Sequence, residues 1–369
     1  APHHLLGAGI VQRGHEAGFG GLLLGAELRK AGFESIRVID RAGDFGGVWY
    51  WNRYPGAACD TEAPIYLPML EETGTIPSAK YIGSPEILEH VRTLARRYDL
   101  YSRALHHTVT TAANWDEDIS RWIVTTDRGD EICTKYLILA SGHYRLPKLP
   151  TLEGMANFKG HSFHTSRWDY AYTGGSSMGG LTGLADKRVG IIGTGATAGQ
   201  CVPHLGEGAQ ELFVFQRTPS SVDVRDNGPI DPDWFASIAT PGWQQRWLEN
   251  FTANQAGGNA RDDLVQDGWT ELARRIRAKV VSLPPSQRTP QAMLAAFEEA
   301  DHEKMNAIRA RVDAEVHDPA TAQARMPSRS ASSFSVKRGS RLSGGIVTVK
   351  GIMCSRRRIA SSMLRMAGL

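Results

Sequence analysis

The stretch KRVGIIGTGATAGQ, residues 187–200, decides the fold. An apolar, β-branched run, RVGII, leads into a glycine-rich turn, a helix is predicted to follow through residues 202–210, and ELFVFQR then reads as a second strand. Strand, tight turn, helix and strand in that order make half of a dinucleotide-binding fold. Within the turn, Gly193 permits the sharp reversal, Gly195 lets the backbone approach a pyrophosphate, and Ala198 is small enough for close helix–strand packing. The helix N-terminus supplies N–H donors to the phosphates. At the end of the next strand, where an NAD site usually offers an acid to the ribose, the sequence gives Phe215, Gln216, Arg217 and Thr218. Arg217 suits the extra 2′-phosphate of NADP. The plainer alternative is a solvated arginine at a strand end.

A second unit of the same kind precedes it. AGFGG, residues 17–21, opens the helical text LLLGAELRKAG, and SIRVID follows as a short strand ending in Asp40. With glycines at Gly18 and Gly21, the phase of a G-x-G-x-x-G loop puts Glu16 where the first glycine belongs, and the preceding IVQRGH is too polar for a central parallel strand. The other register, Gly7–Ala8–Gly9, offers no third small residue and leaves the helix far away, so the Gly18 register is adopted. Asp40 lies about 20 residues on, where an acid accepts a ribose hydroxyl.

Between these units, PEILEHVRTLARRYDL reads as a helix, and residues 108–139 read as strands with a turn at Asp127–Arg128–Gly129–Asp130. YLILASG reads as a buried parallel strand, and the Pro-containing residues 143–150 as a hinge. Residues 231–324 are helical, charged and rich in Trp, as in an insertion that shapes substrate access; the Ser/Arg-rich text after them is expected to be poorly ordered. The predicted class is α/β, with two Rossmann-like dinucleotide-binding domains at 1–145 and 146–230, a helical insertion of the second at 231–324, and an atypical tail at 325–369.

Composition agrees with two such domains. The 369 residues are 41% hydrophobic and 22% charged with a formal net charge of +3, and basic residues lie among acids along most of the chain. No nucleic-acid groove or membrane face is implied. Cys59, Cys133, Cys201 and Cys354 lie far apart without CxxC or Cys/His spacing, so no zinc site or disulfide framework is expected, and a reducing cytoplasm fits. The opening APHHLLGAGIVQRGH lacks the pattern of a secretory signal, and no run approaches the ~20 apolar residues of a membrane span.

Two further segments carry chemistry. GGVWYWNRYPGAACD, residues 46–60, pairs adjacent glycines with Trp49, Tyr50, Trp51 and Tyr54, which suit the wall of a flat ring system, and ends on Asp60. An aromatic core corner is an equal alternative. FKGHSFHTSRWD, residues 158–169, presents His164 as a base, a metal ligand or a satisfied hinge histidine; no second His at helical ligand spacing favours a metal.

Taken together, these segments resemble the Baeyer–Villiger monooxygenases. The family fingerprint F-x-G-x-x-x-H-x-x-x-W-[P/D] is matched by Phe158, Gly160, His164, Trp168 and Asp169. A second, G-G-x-W-x-x-x-x-[F/Y]-P-[G/M]-x-x-x-D, is matched by Gly46, Gly47, Trp49, Tyr54, Pro55, Gly56 and Asp60. Similarity runs from about Gly18 to Ala322 and includes DGWTE in the helical insertion.

The resemblance implies FAD in the first domain, NADPH in the second, and a reaction in which NADPH reduces FAD, oxygen adds to the flavin, and the flavin peroxide attacks a ketone to give an ester or lactone. It implies Gly18, Gly21, Asp40, Gly47, Val48, Trp49, Asp60 and Tyr66 as FAD contacts, and Gly193, Thr194, Gly195, Ala196, Thr197, Arg217 and Thr218 as NADPH contacts. It further implies that Asp60 polarises a catalytic arginine and that His164, in the interdomain linker, couples domain movement to catalysis. The implied partners are a small-molecule ketone and O2 on a cytoplasmic monomer.

This sequence departs from the family at Glu16 and after residue 324, where the family's catalytic arginine and the closing segment of the FAD domain would follow. Lys337–Arg338 lacks the family's surrounding residues. The ends are therefore expected to be truncated or altered. The alternatives are a catalytically silent homologue that binds NADP only, and an N- or S-oxygenating flavin monooxygenase, against which Trp168–Asp169 and the WYWNRYPG loop argue.

Overall fold

A computed structural model describes residues 8–11, 18–142, 146–255 and 262–325. The expected tail at 325–369 lies, but for residue 325, outside them, as do Glu16, Cys354 and Lys337–Arg338. The chain divides into two compact units. The first takes the described residues of Ala1–Tyr54, Leu67–Ile76 and Ile82–Asp169, the second those of Pro55–Tyr66, Pro77–Tyr81 and Tyr170–Leu369. The division falls after Asp169 rather than after residue 145, and the second unit takes two short stretches out of the first half of the chain.

In the first unit a parallel sheet has the order β3 (Ala104–Leu105), β2 (Ile36–Ile39), β1 (Ala8–Val11), β7 (Tyr136–Leu137). The central strand is AGIV, whose Ile10 and Val11 open the IVQRGH text that read as too polar for such a strand; residues 12–17 lie outside the described residues. Helix α1 (Phe19–Lys30) follows. A side chain at Gly25 would come within 3.0 Å of Leu100, so this glycine lets α1 pack closely. The short helices α2 (Val48–Trp51) and α4 (Leu70–Thr73) lie in the first unit, and α3 (Ala63–Tyr66) lies in the second.

Helix α5 (Ser84–Arg97) buries Ile87, Leu88, Val91, Leu94 and Ala95, a helical stripe of which Val91, Leu94 and Ala95 join Leu22, Ala26, Ile36, Val38, Phe45 and Leu100 in the core. The antiparallel strands β4 (Thr110–Asp116), β5 (Arg121–Thr126) and β6 (Glu131–Thr134) form a separate sheet. Gly129, at φ +82°, turns β5 into β6 within the tetrapeptide singled out from the sequence. YLILASG departs from its expected buried strand: β7 pairs only two residues at the sheet edge, leaving Tyr136 48% and Leu139 60% exposed.

The second unit holds α6 (Tyr170–Thr173), then β8 (Arg188–Ile192), α7 (Ala196–Gly208) and β9 (Glu211–Phe215), with β8 and β9 parallel from Arg188↔Glu211 to Ile192↔Phe215. Among the described residues five helices follow: α8 (Pro232–Ile238), α9 (Trp243–Gln255), α10 (Gly268–Ser282), α11 (Pro290–Glu315) and α12 (Pro319–Arg325). Side chains of Asp231, Asp267 and Thr289 cap α8, α10 and α11 by accepting from first-turn N–H groups. Helix α9 buries Trp243, Trp247 and Phe251 at i, i+4 and i+8. Helices α10 and α11 are bridged by Glu271–Lys304 and by Lys279 with Glu299 and Glu303. The architecture is α/β: two Rossmann-like units, with a helical insertion in the second.

Candidate active site and cofactor-binding loops

The glycines that front α1 and α7 are treated alike by the fold. Gly18 is the N-cap of α1 and Gly195 the N-cap of α7; neither helix has a side-chain cap or an acid in its first turn. The first N–H groups of both are therefore directed at whatever lies before the helix, with the positive end of the helix dipole behind them. Gly21 is buried in the first turn of α1. Asp40, 1% exposed at the end of β2, accepts from the Ala42 N–H at 2.8 Å, and its own N–H donates to the Leu105 carbonyl at 3.0 Å. The acid is thus fixed where β2 leaves the sheet.

In the second unit Gly193 has φ +105°, a conformation that other residues adopt only under strain, and its N–H donates to the Phe215 carbonyl at 2.8 Å. The Thr194 hydroxyl donates to the Thr218 carbonyl at 3.0 Å, joining the glycine loop to the segment after β9. Around Gly195 no atom lies within 4 Å of where a Cβ would stand, so this loop leaves open space at the helix end. Ala196 and Thr197 form the first turn of α7, Ala198 is buried beneath it, and Arg217 is exposed. Both loops, with their bare N–H groups, fit a dinucleotide's pyrophosphate.

The 46–60 segment is shared between the units. On the first, Gly46 (φ +136°) and Gly47 (φ +54°) lead into α2; a side chain at Gly46 would come within 2.7 Å of Leu88 and 3.1 Å of the Tyr50 nitrogen. Val48 and Trp49 are half-buried in α2. Trp51 has its buried indole N–H without a hydrogen-bond partner among the described residues, and Arg167 stacks on its ring at 3.7 Å. His164 N-caps the 3-10 turn Thr165–Arg167: its Nδ1 accepts from the Ser166 N–H at 3.1 Å and meets the Ser166 hydroxyl at 2.8 Å. Burial first, then the Arg167 charge, lowers the His164 pKa, so the ring is neutral with its proton on Nε2. His161 bonds Asp169 at 2.9 Å, and Trp168 packs edge-on to Phe163.

On the second unit, Asp60 is exposed; its Oδ2 accepts from Arg225 at 3.2 Å and its carbonyl from the Trp269 indole at 2.7 Å. Tyr66 ends α3, its N–H on the Glu62 carbonyl at 2.9 Å. Glu62, two residues past Asp60, is 3% exposed. It accepts from the Trp247 indole and lies 3.9 Å from Lys80, and burial pushes its carboxyl up to about 7. Sequence reading missed Glu62, Arg225 and Tyr81; only Trp269 carried a signal, within DGWTE. No cluster of three or more His, Cys, Asp or Glu among the described residues is placed to hold a metal.

Residues 17–74 match the family described as an NAD(P)-binding Rossmann-like domain. Neopentalenolactone D synthase of Streptomyces avermitilis is 54% identical over 312 residues, covering 84% of this chain and 52% of that protein. A Baeyer-Villiger monooxygenase of Streptomyces coelicolor is 51% identical over 314 residues, covering 84% of this chain and 51% of that protein. The solved polycyclic ketone monooxygenase of Thermothelomyces thermophila is similar with a TM-score of 0.78 at 37% identity, over 89% of this chain and 54% of that one. The chain spans about half the length of the curated relatives it matches. With both fingerprints and both glycine-fronted helices, the chain is similar over most of its length to Baeyer–Villiger monooxygenases.

Proposed function

We propose that the chain binds FAD on its first unit and NADPH on its second, and serves a monooxygenase that inserts one atom of O2 beside a ketone carbonyl to give an ester or lactone. The observation that carries this reading is the pair of uncapped, glycine-fronted helix N-termini, one on each unit. Two such ends in one chain suit two dinucleotides, a donor and an acceptor of electrons. FAD, when bound, accepts hydride from NADPH and activates oxygen.

The protein's own residues bind and orient. The α1 N-terminus at Gly18 and Gly21 takes one pyrophosphate, Asp40 takes a ribose hydroxyl, and Gly47, Val48 and Trp49 line the flavin. The α7 N-terminus with Gly193, Thr194, Gly195, Ala196 and Thr197 takes the other pyrophosphate, and Arg217 with Thr218 the 2′-phosphate. Neutral His164 holds the linker turn through Ser166. The substrate is a small-molecule ketone. We further propose a monomer of the cytoplasm; the free thiols of Cys59, Cys133 and Cys201 suit a reducing compartment.

The test is a visible spectrum of the purified chain after FAD loading and gel filtration, followed by NADPH. A retained flavin band that bleaches with NADPH supports the reading, and ketone oxygenation is then assayed directly. A colourless chain that still binds NADPH reduces it to NADP binding by the second unit alone.

A further inference from the structure

After β9 the chain runs from Gln216 to Gly228 without helix or strand, all within the second unit, so its shape depends on what holds it. The glycine loop holds its first residues. The Gly193 N–H donates to the Phe215 carbonyl at 2.8 Å, and the Thr194 hydroxyl donates to the Thr218 carbonyl at 3.0 Å. The Ser220 hydroxyl then donates back to the Thr194 carbonyl. One threonine is thus clasped through both its side chain and its main chain, and Pro219, with φ fixed by its ring, stiffens the bracket between the two contacts. Beyond the clasp α11 takes over: Arg311 donates to the Val222 carbonyl, and Lys304 and Arg311 pair with Asp223.

Arg217 stands inside this bracket, its backbone pinned on one side at Phe215 and on the other at Thr218. Its side chain is exposed and makes no hydrogen bond or ion pair with the described residues. The two acids nearest to it in sequence are both engaged elsewhere, Glu211 by Arg188 and Asp223 by Lys304 and Arg311. A cation left free on a fixed backbone, tied to the loop that fronts α7, suits a phosphate held at one distance from the pyrophosphate. The Ser220 hydroxyl is itself exposed, and an exposed hydroxyl bonds water as readily as a carbonyl, so its bond to Thr194 adds little stability. What the bond adds is a fixed shape for the residues around Arg217.

We propose, resting on the NADPH reading of the second unit, that Ser220 is a positioning residue for the 2′-phosphate. By closing on Thr194 it fixes where Arg217 stands relative to the α7 N-terminus, and so sets the preference for NADPH over NADH. Arg217 meets the phosphate; Ser220 acts through the bracket alone.

The experiment titrates the 369-residue chain calorimetrically with adenosine 2′,5′-bisphosphate and with 5′-AMP, FAD being present in excess to occupy the first unit. No turnover is needed, and the readout is the ratio of the two dissociation constants. Wild type should favour the bisphosphate by roughly thirtyfold, the worth of one charge-assisted phosphate contact. Ser220→Ala should cut that ratio about fivefold while 5′-AMP binding stays within about twofold, and Ser220→Thr, which keeps the hydroxyl, should restore it. Arg217→Ala should abolish the preference, and adding Ser220→Ala to it should cost nothing more, because the bracket then has no guanidinium to place. A selective wild type whose ratio survives Ser220→Ala, or a Ser220→Ala chain that loses both ligands equally, overturns the proposal. A wild type that binds both ligands alike overturns the NADPH reading and the proposal with it, and is told apart because the parent then has no preference to lose.

Discussion

The guanidinium carbon of Arg167 lies 3.7 Å from the ring centre of Trp51. Trp51 belongs to the 46–60 segment and Arg167 to the 158–169 segment, so the two stretches that carry the family resemblance meet through one stacked cation in the first unit. The contact ties the turn that holds His164 to helix α2. Replacing Arg167 with Met should destabilise the first unit by about 1 kcal/mol, and Arg167→Lys by less, because an ammonium stacks more weakly than a planar guanidinium. Urea midpoints measure this; a midpoint unmoved by Arg167→Met would show that the stacking contributes nothing.

Glu62 sets a pH dependence. Burial pushes its carboxyl up to about 7, while the Trp247 hydrogen bond and Lys80 pull the other way. A carboxyl whose folded pKa lies above its unfolded value gives stability that is complete below the unfolded value of 4.5 and is lost as pH rises through about 7. The wild-type chain should lose roughly 3 kcal/mol of its stability across that rise, at ~1.4 kcal/mol per pH unit. Glu62→Gln, which keeps an acceptor for Trp247, should be flat over the same window. Parallel slopes for the two chains in denaturant titrations at stepped pH would rule out Glu62 as the source.

At Gly195 binding and stability should part. Its φ of −73° suits any residue, and a new side chain there meets open space. Asp is a strong N-cap, so Gly195→Asp should stabilise α7 by a few tenths of a kcal/mol. The same carboxylate occupies the N–H groups and repels a pyrophosphate, and NADPH binding should weaken by about tenfold or more while FAD binding is unchanged. Fluorescence titration with NADPH reads the first effect and flavin retention the second; an unaltered NADPH affinity would remove the α7 N-terminus from the site.

Much of this was legible in sequence because it is local. The loop 193–195, the helix after it and the strand ELFVFQR follow one another within 30 residues or so, and period and glycine placement specify them. The helical insertion was likewise read from its own text. What sequence did not disclose are contacts closed across long separations. Arg225 reaches Asp60 over 165 positions and Trp269 reaches it over 209, and nothing in VDVRDNGPI announces that its first arginine faces the rings of Tyr81 and Trp269. The misreading of YLILASG has a related cause: an apolar run states a preference for burial, but partners elsewhere decide whether the strand is covered. The break at Tyr54–Pro55, where one fingerprint passes from the first unit to the second, has no local signature either.

The most direct test of two cofactors on one chain is to count them. Equilibrium dialysis of the purified chain against FAD, against NADP+, and against both should find one of each per chain, with Gly195→Asp removing NADP+ alone. A single shared site, in which one dinucleotide displaces the other, would contradict the reading of two separate binding units.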